Sequence, residues 1–304
     1  MREASDFVDD DRMTRFSLSG APVRGCAVRL AATLHQLFAA RSYPRPVAAA
    51  VAELAVITSL IGQMINPGWK MSIQVRTGGE LRLLASDYFA PDSAGVPARL
   101  RATATYDENI GLRPALPDWH MMGGYFGVLI DRNDGRQTFQ GLVPLEGRTL
   151  AGCAEEYFRR SEQIPTRIAL AVEQSGHNGT AEWRGGGIIV QKLPEAASGV
   201  DDWPRVKTLL ETVEGSELTG PSPPVQRTLL RLFHDENPRT EPMQPIEFGC
   251  SCSREKVRQG LSIYSAKDIA TMMTDAGLVT AECHFCGRAY EFDPASLGFE
   301  AVRK

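Results

Sequence analysis

Trp69-Lys70-Met71-Ser72-Ile73-Gln74-Val75-Arg76-Thr77-Gly78-Gly79-Glu80-Leu81-Arg82-Leu83 is the stretch on which the fold reading turns. Trp69, Met71, Ile73 and Val75 alternate with polar residues at the two-residue period of a strand. Gly78-Gly79 admits the backbone of a tight turn, and Leu81 and Leu83 resume the alternation, so the stretch reads as a β-hairpin. Upstream, Pro46 opens an apolar run that ends at Ile65. Its apolar residues (Val47, Val51, Leu54, Ala55, Ile57, Leu60, Ile61, Met64, Ile65) cover more than one helical face, which predicts a largely buried helix with proline in its first turn. Glu53, Thr58, Ser59 and Gln63 interrupt the run, so it is read as a core helix and no membrane span is expected.

Working outward, Val23 to Leu30 reads as a strand leading into a short helix with Leu34, Leu37 and Phe38 on one face. A second hairpin is expected from Gly124 to Leu145, turning at Asn133-Asp134-Gly135. Leu150 to Gln163 reads as a helix that Pro165 prevents from continuing. Strands are expected at Arg167–Val172 and Gly187–Leu193. Strand pairs interleaved with helices give an α+β class: an N-terminal domain over 1–193 with a largely antiparallel sheet and packed helices.

From Pro194 to Gly249 the character changes. Eight of the nineteen prolines fall here, with ten acidic and five basic residues. Two amphipathic pieces sit inside it: Trp203 to Val213, with Val206, Leu209, Leu210 and Val213, and Val225 to Phe233, with Leu229, Leu230, Leu232 and Phe233. A disordered tether would lack such faces. Helices this short are marginal alone in water and need a surface to lean on. Residues 194–245 are therefore read as a metastable helical linker; two ordinary helices packed firmly on the first domain fit the same pattern.

Residues 246–304 hold the densest chemistry. Cys250-Ser251-Cys252 and Cys283-His284-Phe285-Cys286 place four of the six cysteines in two close pairs. Four thiolates in tetrahedral array are a standard zinc donor set, and Gly287 suits the turn after the second pair. The expectation is one zinc ion on Cys250, Cys252, Cys283 and Cys286; a metal-free redox dithiol is the competing reading. His284 is left as a surface residue, because its neighbours already fill the tetrahedron. Cys26 and Cys153 lack partners at ligand spacing and are read as small core residues. A module of this size gains little from its own core, so a zinc site would supply much of its folding energy. Oxidation to disulfides would take away the thiolates and release the metal. Spacing alone favours a static structural clip over such a switch.

The chain has 304 residues and a formal net charge of −4, with 43% hydrophobic and 23% charged residues. That suits about two domains of a globular protein and not a surface for anionic polymers or membranes. A zinc-ribbon nucleic-acid-binding or regulatory protein is the main rival reading. From Glu241 to Lys304, however, nine acidic side chains outnumber seven basic ones, and a nucleic-acid module should be clearly basic. An enzyme with an appended zinc is the second rival, but no phosphate-binding glycine loop, dinucleotide fingerprint, His-Glu-x-x-His or nucleophile elbow is found, and no catalytic residue is assigned. Adjacent Glu155-Glu156 is read as a solvated helix face rather than a working carboxylate pair. The acidic start of the chain lacks a signal-peptide pattern, and a cytoplasmic protein with reduced thiols is expected.

Four stretches resemble the redox-regulated 33 kDa chaperonins, a heat-shock chaperone family: Glu155-Glu156-Tyr157-Phe158-Arg159-Arg160-Ser161-Glu162-Gln163-Ile164-Pro165-Thr166, Glu247-Phe248-Gly249-Cys250-Ser251-Cys252-Ser253-Arg254-Glu255, Cys283-His284-Phe285-Cys286 and Tyr290-Glu291-Phe292. The resemblance implies an ATP-independent holdase, inactive while zinc is bound to the four reduced cysteines. It implies that oxidation pairs Cys250 with Cys252 and Cys283 with Cys286, releases zinc, unfolds module and linker, and exposes a surface for unfolded client proteins, with a homodimer forming on activation. Trp203, Leu209, Leu210, Leu229, Leu230 and Phe233 are the client-binding candidates, since an uncovered linker would present them as an apolar patch.

Overall fold

The computed structural model describes residues 9–93, 95–112, 115–132, 138–175, 182–194 and 202–298. The expected turn at Asn133-Asp134-Gly135 lies outside them. The chain divides into two compact units, Met1–Phe248 and Gly249–Lys304. In the first unit the elements run β1 (Arg12–Leu18), β2 (Val23–Leu30), α1 (Ala32–Ala40), α2 (Arg45–Gly62), β3 (Lys70–Thr77), β4 (Leu81–Phe89), β5 (Ala98–Tyr106), α3 (Trp119–Met122), β6 (Gly124–Asp131), β7 (Phe139–Pro144), α4 (Leu150–Tyr157), β8 (Thr166–Ser175), β9 (Glu182–Lys192), α5 (Asp202–Glu211), α6 (Gly215–Thr219), α7 (Val225–Phe233), β10 (Pro238–Thr240) and β11 (Gln244–Phe248). The second unit holds α8 (Arg254–Leu261), α9 (Ala266–Thr271), β12 (Val279–Glu282) and β13 (Ala289–Phe292).

One large sheet organises the first unit, in the order β7-β6-β3-β4-β5-β11-β1-β2-β9-β8, with β10 beside β1. Its pairings are antiparallel except β11 with β5. The architecture is thus α+β with a predominantly antiparallel sheet, as the alternation predicts. β3 and β4 pair from Lys70–Phe89 to Arg76–Leu83, the hairpin of the opening stretch. Met71, Ile73 and Val75 point into the core and are fully buried.

α2 crosses this sheet, packing on β2, β4, β5, β8 and β9. Fifteen of its eighteen residues are buried, so a helix apolar enough to span a membrane is here the centre of a core. Three consecutive glycines on β9 let it come close. A Cβ on Gly185 would sit 2.9 Å from a methyl of Val56, and one on Gly187 would sit 3.0 Å from the other. Strand side chains alternate between faces. Gly186 therefore faces the opposite way, where a Cβ would collide with the carbonyl of Leu218 in α6.

That opposite face is covered by α5, α6 and α7. Phe16, Leu18, Val23, Ala27, Ile188 and Val190 on the strands pack with Val206, Leu210, Leu218, Val225, Leu229, Leu232 and Phe233 on the helices. Phe16 and Phe233 stack with ring centroids 6.0 Å apart. The described part of the 194–245 segment is thus docked within the first unit, as three helices followed by β10 and the start of β11. The boundary with the cysteine module falls after Phe248 rather than before Ile246, because Ile246–Phe248 pairs with Ala98–Leu100.

Two details depart from the sequence reading. The Leu150–Gln163 helix is α-helical only to Tyr157; Phe158–Glu162 forms a π-helical turn that ends at Gln163 with φ 57°. Glu155 and Glu156 are not a shared solvated face. Glu156 pairs with Arg159 and Arg160. Glu155 instead turns inward, accepting from Ile168 N and Arg167 Nη1, both at 2.9 Å, and burial, opposed by those partners, raises its pKa.

Glu53 is an ionisable residue in the middle of α2, and burial pushes its carboxyl up from 4.5 to about 7. The folded protein therefore holds a proton there that the unfolded chain releases, so this group costs stability as pH rises from about 4.5 to 7. Glu53→Gln is expected to raise stability by about 2 kcal/mol at pH 8 and much less at pH 5, read from urea unfolding midpoints; an equal gain at both pH values would contradict the burial.

Candidate metal centre

The second unit has a small core. Ile269, Val279, Phe292 and Leu297 are buried, with Val257, Leu261, Met272, Ala281 and Tyr290 partly buried around them. Arg254 lies over the Phe292 ring at 4.6 Å. Around this core the chain presents two short turns of cysteine.

The first pair comes directly before α8. Ser253 caps that helix, its hydroxyl accepting from Lys256 N at 3.2 Å, and this fixes the chain direction just after Cys252. The second pair sits in the β12–β13 hairpin. Cys283 N donates to Arg288 O at 3.0 Å and Gly287 N donates to Cys283 O at 2.9 Å. Gly287 holds φ 66°, a left-handed conformation that glycine adopts without strain, so the glycine after Cys286 has a backbone reason.

These turns bring the four sulfurs together. Cys250 Sγ lies 3.7 Å from Cys283 Sγ and Cys252 Sγ lies 3.4 Å from Cys286 Sγ; all four lie within 4.8 Å of one another. Thiolates about 2.3 Å from a tetrahedral metal stand about 3.8 Å apart. The cluster therefore has the size a single ion requires, and all four cysteines are free thiols, half-buried. Each close contact joins one cysteine from each turn, so one ion would clip α8's start to the β12–β13 hairpin. His284 is exposed and outside the cluster.

The surroundings favour thiolate. Tyr290 Oη donates to Cys252 Sγ at 3.1 Å. Burial works against charge at Cys252, but the hydrogen bonds from Tyr290 and the other three thiols outweigh it and bring the pKa down to about 7. Burial and the proton shared with Cys252 push Cys286 up to about 12, so the four begin as an unequal, proton-sharing set from which a metal would displace protons. Cys26 and Cys153 differ. Both are fully buried; burial pushes Cys153 up to about 11 and Cys26 well above the ordinary thiol range, and such thiols are poor nucleophiles.

The client-binding candidates lie in the first unit. Leu210, Leu229 and Phe233 are buried against the sheet, and Trp203 and Leu209 are partly buried. Leu230 alone points outward, 55% exposed. Sequence reasoning missed the strand residues beneath them, Phe16, Ile188 and Val190, because the partner of an amphipathic helix is not written in the helix.

A family model described as Hsp33 protein matches residues 11–293. A 33 kDa chaperonin of Caulobacter vibrioides is 33% identical over 295 residues, covering 94% of this chain and 95% of its own length. A 33 kDa chaperonin of Neisseria meningitidis serogroup B is 33% identical over 290 residues, covering 94% and 90%. The crystal structure of a 33 kDa chaperonin (heat shock protein 33 homolog) from Thermotoga maritima matches with a TM-score of 0.76 and 18% identity, over 96% of this chain and 98% of that one, a likeness of fold.

If the four sulfurs form one site, Cys283→Ser purified in reductant should retain well under half the metal of the unsubstituted chain by elemental analysis. It should also be cut faster by protease within 249–298. Unchanged metal content would remove Cys283 from the ligand set.

Proposed function

We propose, from the premise that this chain belongs to the Hsp33 family of chaperones, that it is a redox-regulated, ATP-independent holdase of the cytoplasm. The observation that carries the reading is the four-thiol cluster in a unit whose apolar core is four residues. Such a unit depends on its metal to stay folded. The thiolate donor set suits zinc, which would be held by Cys250, Cys252, Cys283 and Cys286 and would supply structural cross-linking rather than reactivity.

On oxidation, each pair of thiolates gives up two electrons. With hydrogen peroxide as oxidant, one peroxide per pair takes them up with two protons from solvent and is reduced to two waters, and one S–S bond forms. The disulfides are Cys250–Cys252 and Cys283–Cys286. Cysteines two or three residues apart stay neighbours after the ion leaves, whereas cross-turn partners separate as the unit loosens. A disulfide keeps no thiolate for zinc, so oxidation and metal release are one event.

The segment that responds is the linker. α5, α6 and α7 each bury a narrow apolar face, and between α6 and α7 three prolines, Pro221, Pro223 and Pro224, offer no backbone N–H. Once free, the helices expose Leu210, Leu229 and Phe233 and uncover Phe16, Ile188 and Val190 on the sheet. Trp203, Leu209 and Leu230 extend the apolar surface offered to unfolded clients, and two such surfaces pair in an activated homodimer.

Peroxide at mildly elevated temperature should release one zinc per chain to a chromophoric chelator. The same treatment should let the protein suppress light scattering from a thermally unfolding client without ATP. Zinc retained with no suppression would sink the switch.

A further inference from the structure

On the sheet face under α6 and α7, four charged residues interrupt the apolar packing. Arg29 on β2 is 2% exposed and donates from Nη2 to Glu217 O at 2.7 Å and Pro223 O at 2.5 Å. Arg184 on β9 donates from Nε to Thr219 O at 2.6 Å. Asp9 Oδ2 accepts from Val225 N at 2.7 Å, the first residue of α7. Asp10 holds Arg184 through a bidentate pair at 2.9 and 2.5 Å.

Four hydrogen bonds from Arg29, Arg184 and Asp9 to the 217–225 segment go to its main chain. The segment from Gly220 to Pro224 is neither helix nor strand and carries three prolines. Pro223 O lies in this segment, while Glu217 O and Thr219 O lie in the last turn of α6, whose final carbonyls have no intrahelical donor. Arg29 also has spare capacity: its Nε and Nη1 are buried and make no hydrogen bond among the described residues. Burial lowers its pKa, with Asp9 and Asp10 opposing. A buried guanidinium with idle donors costs stability that an apolar side chain would not.

We propose that Arg29 and Arg184, with Asp9, form a main-chain-reading site for unfolded polypeptide, occupied in the closed form by the chain's own Glu217–Val225 segment. The site deepens the holdase reading and rests on it. Two guanidiniums offer donors to client carbonyls and Asp9 offers an acceptor to a client N–H. Phe16, Ala27, Ile188 and Val190 around them take apolar side chains of any sequence. The linker is then a stand-in for the client, held by the same bonds. Because those bonds ignore sequence, the site fits clients that have only their unfolded backbone in common.

The test uses the full chain, oxidised and metal-free, with a fluorescently labelled, reduced and carboxymethylated polypeptide as a permanently unfolded probe. Arg29→Met and Arg184→Met should each weaken the probe's dissociation constant by about tenfold, the worth of a charge-assisted hydrogen bond. In the reduced protein the same variants should speed amide exchange over 217–225 while exchange in α2 and metal content stay unchanged, which certifies the fold. Faster exchange with undiminished probe binding would make the arginines a latch only and overturn the site, as would no change in either. An unsubstituted oxidised protein that fails to bind the probe would sink the holdase reading itself, and the site with it.

Discussion

A unit whose buried core is Ile269, Val279, Phe292 and Leu297 cannot hold itself together by apolar burial. In the proposed reading, an ion shared by the two cysteine turns holds it. A structural zinc site contributes about 10–16 kcal/mol of apparent binding free energy at neutral pH, far more than four side chains supply. In that reading the fold of this unit is tied to the protonation and oxidation state of four thiols. The hydrogen bond from Tyr290 to Cys252 belongs to the same constraint, since it favours thiolate before any metal arrives.

The first unit meets a different constraint, a sheet with two faces to cover. α2 covers one face permanently, fitted against Gly185 and Gly187, and its apolar surface is continuous. The other face is covered by three short helices, the last two joined by a turn with three prolines. Gly186 lets α6 sit against the strand, and charged side chains grip its backbone where apolar contact runs out. One cover is thick and the other thin. A chaperone that must keep a client surface dry until it is needed has a use for a thin cover, and the chain leads from that cover through β11 into the metal unit.

The legible part of this protein was set by periodicity and spacing. The β3–β4 hairpin, α2 and α7 follow from residues that alternate or repeat at fixed intervals, and α7 spans Val225–Phe233 as the apolar face predicts. β1 and β5 carried the same alternation. In β5, Ala98, Leu100, Ala102 and Ala104 point inward between Arg99, Arg101, Thr103 and Thr105, but small alanines give a faint signal. β10 and β11 are short pieces whose existence depends on partners far away in sequence. The cysteine cluster was visible because two close pairs leave few alternatives. The charged grip of Arg29, Arg184 and the Asp9-Asp10 pair was not, since it joins three separated places in the chain to main-chain atoms that no sequence pattern marks.

The central claim is that loss of the metal unit's thiolates frees the thin cover while leaving the sheet and α2 intact. Hydrogen–deuterium exchange, comparing the reduced, zinc-loaded protein with the peroxide-treated protein, tests it most directly. The account predicts that amides over 202–233 and 249–298 lose protection together on oxidation, while those over 45–62 and 70–77 keep it. Protection over 202–233 that survives complete zinc release would contradict it.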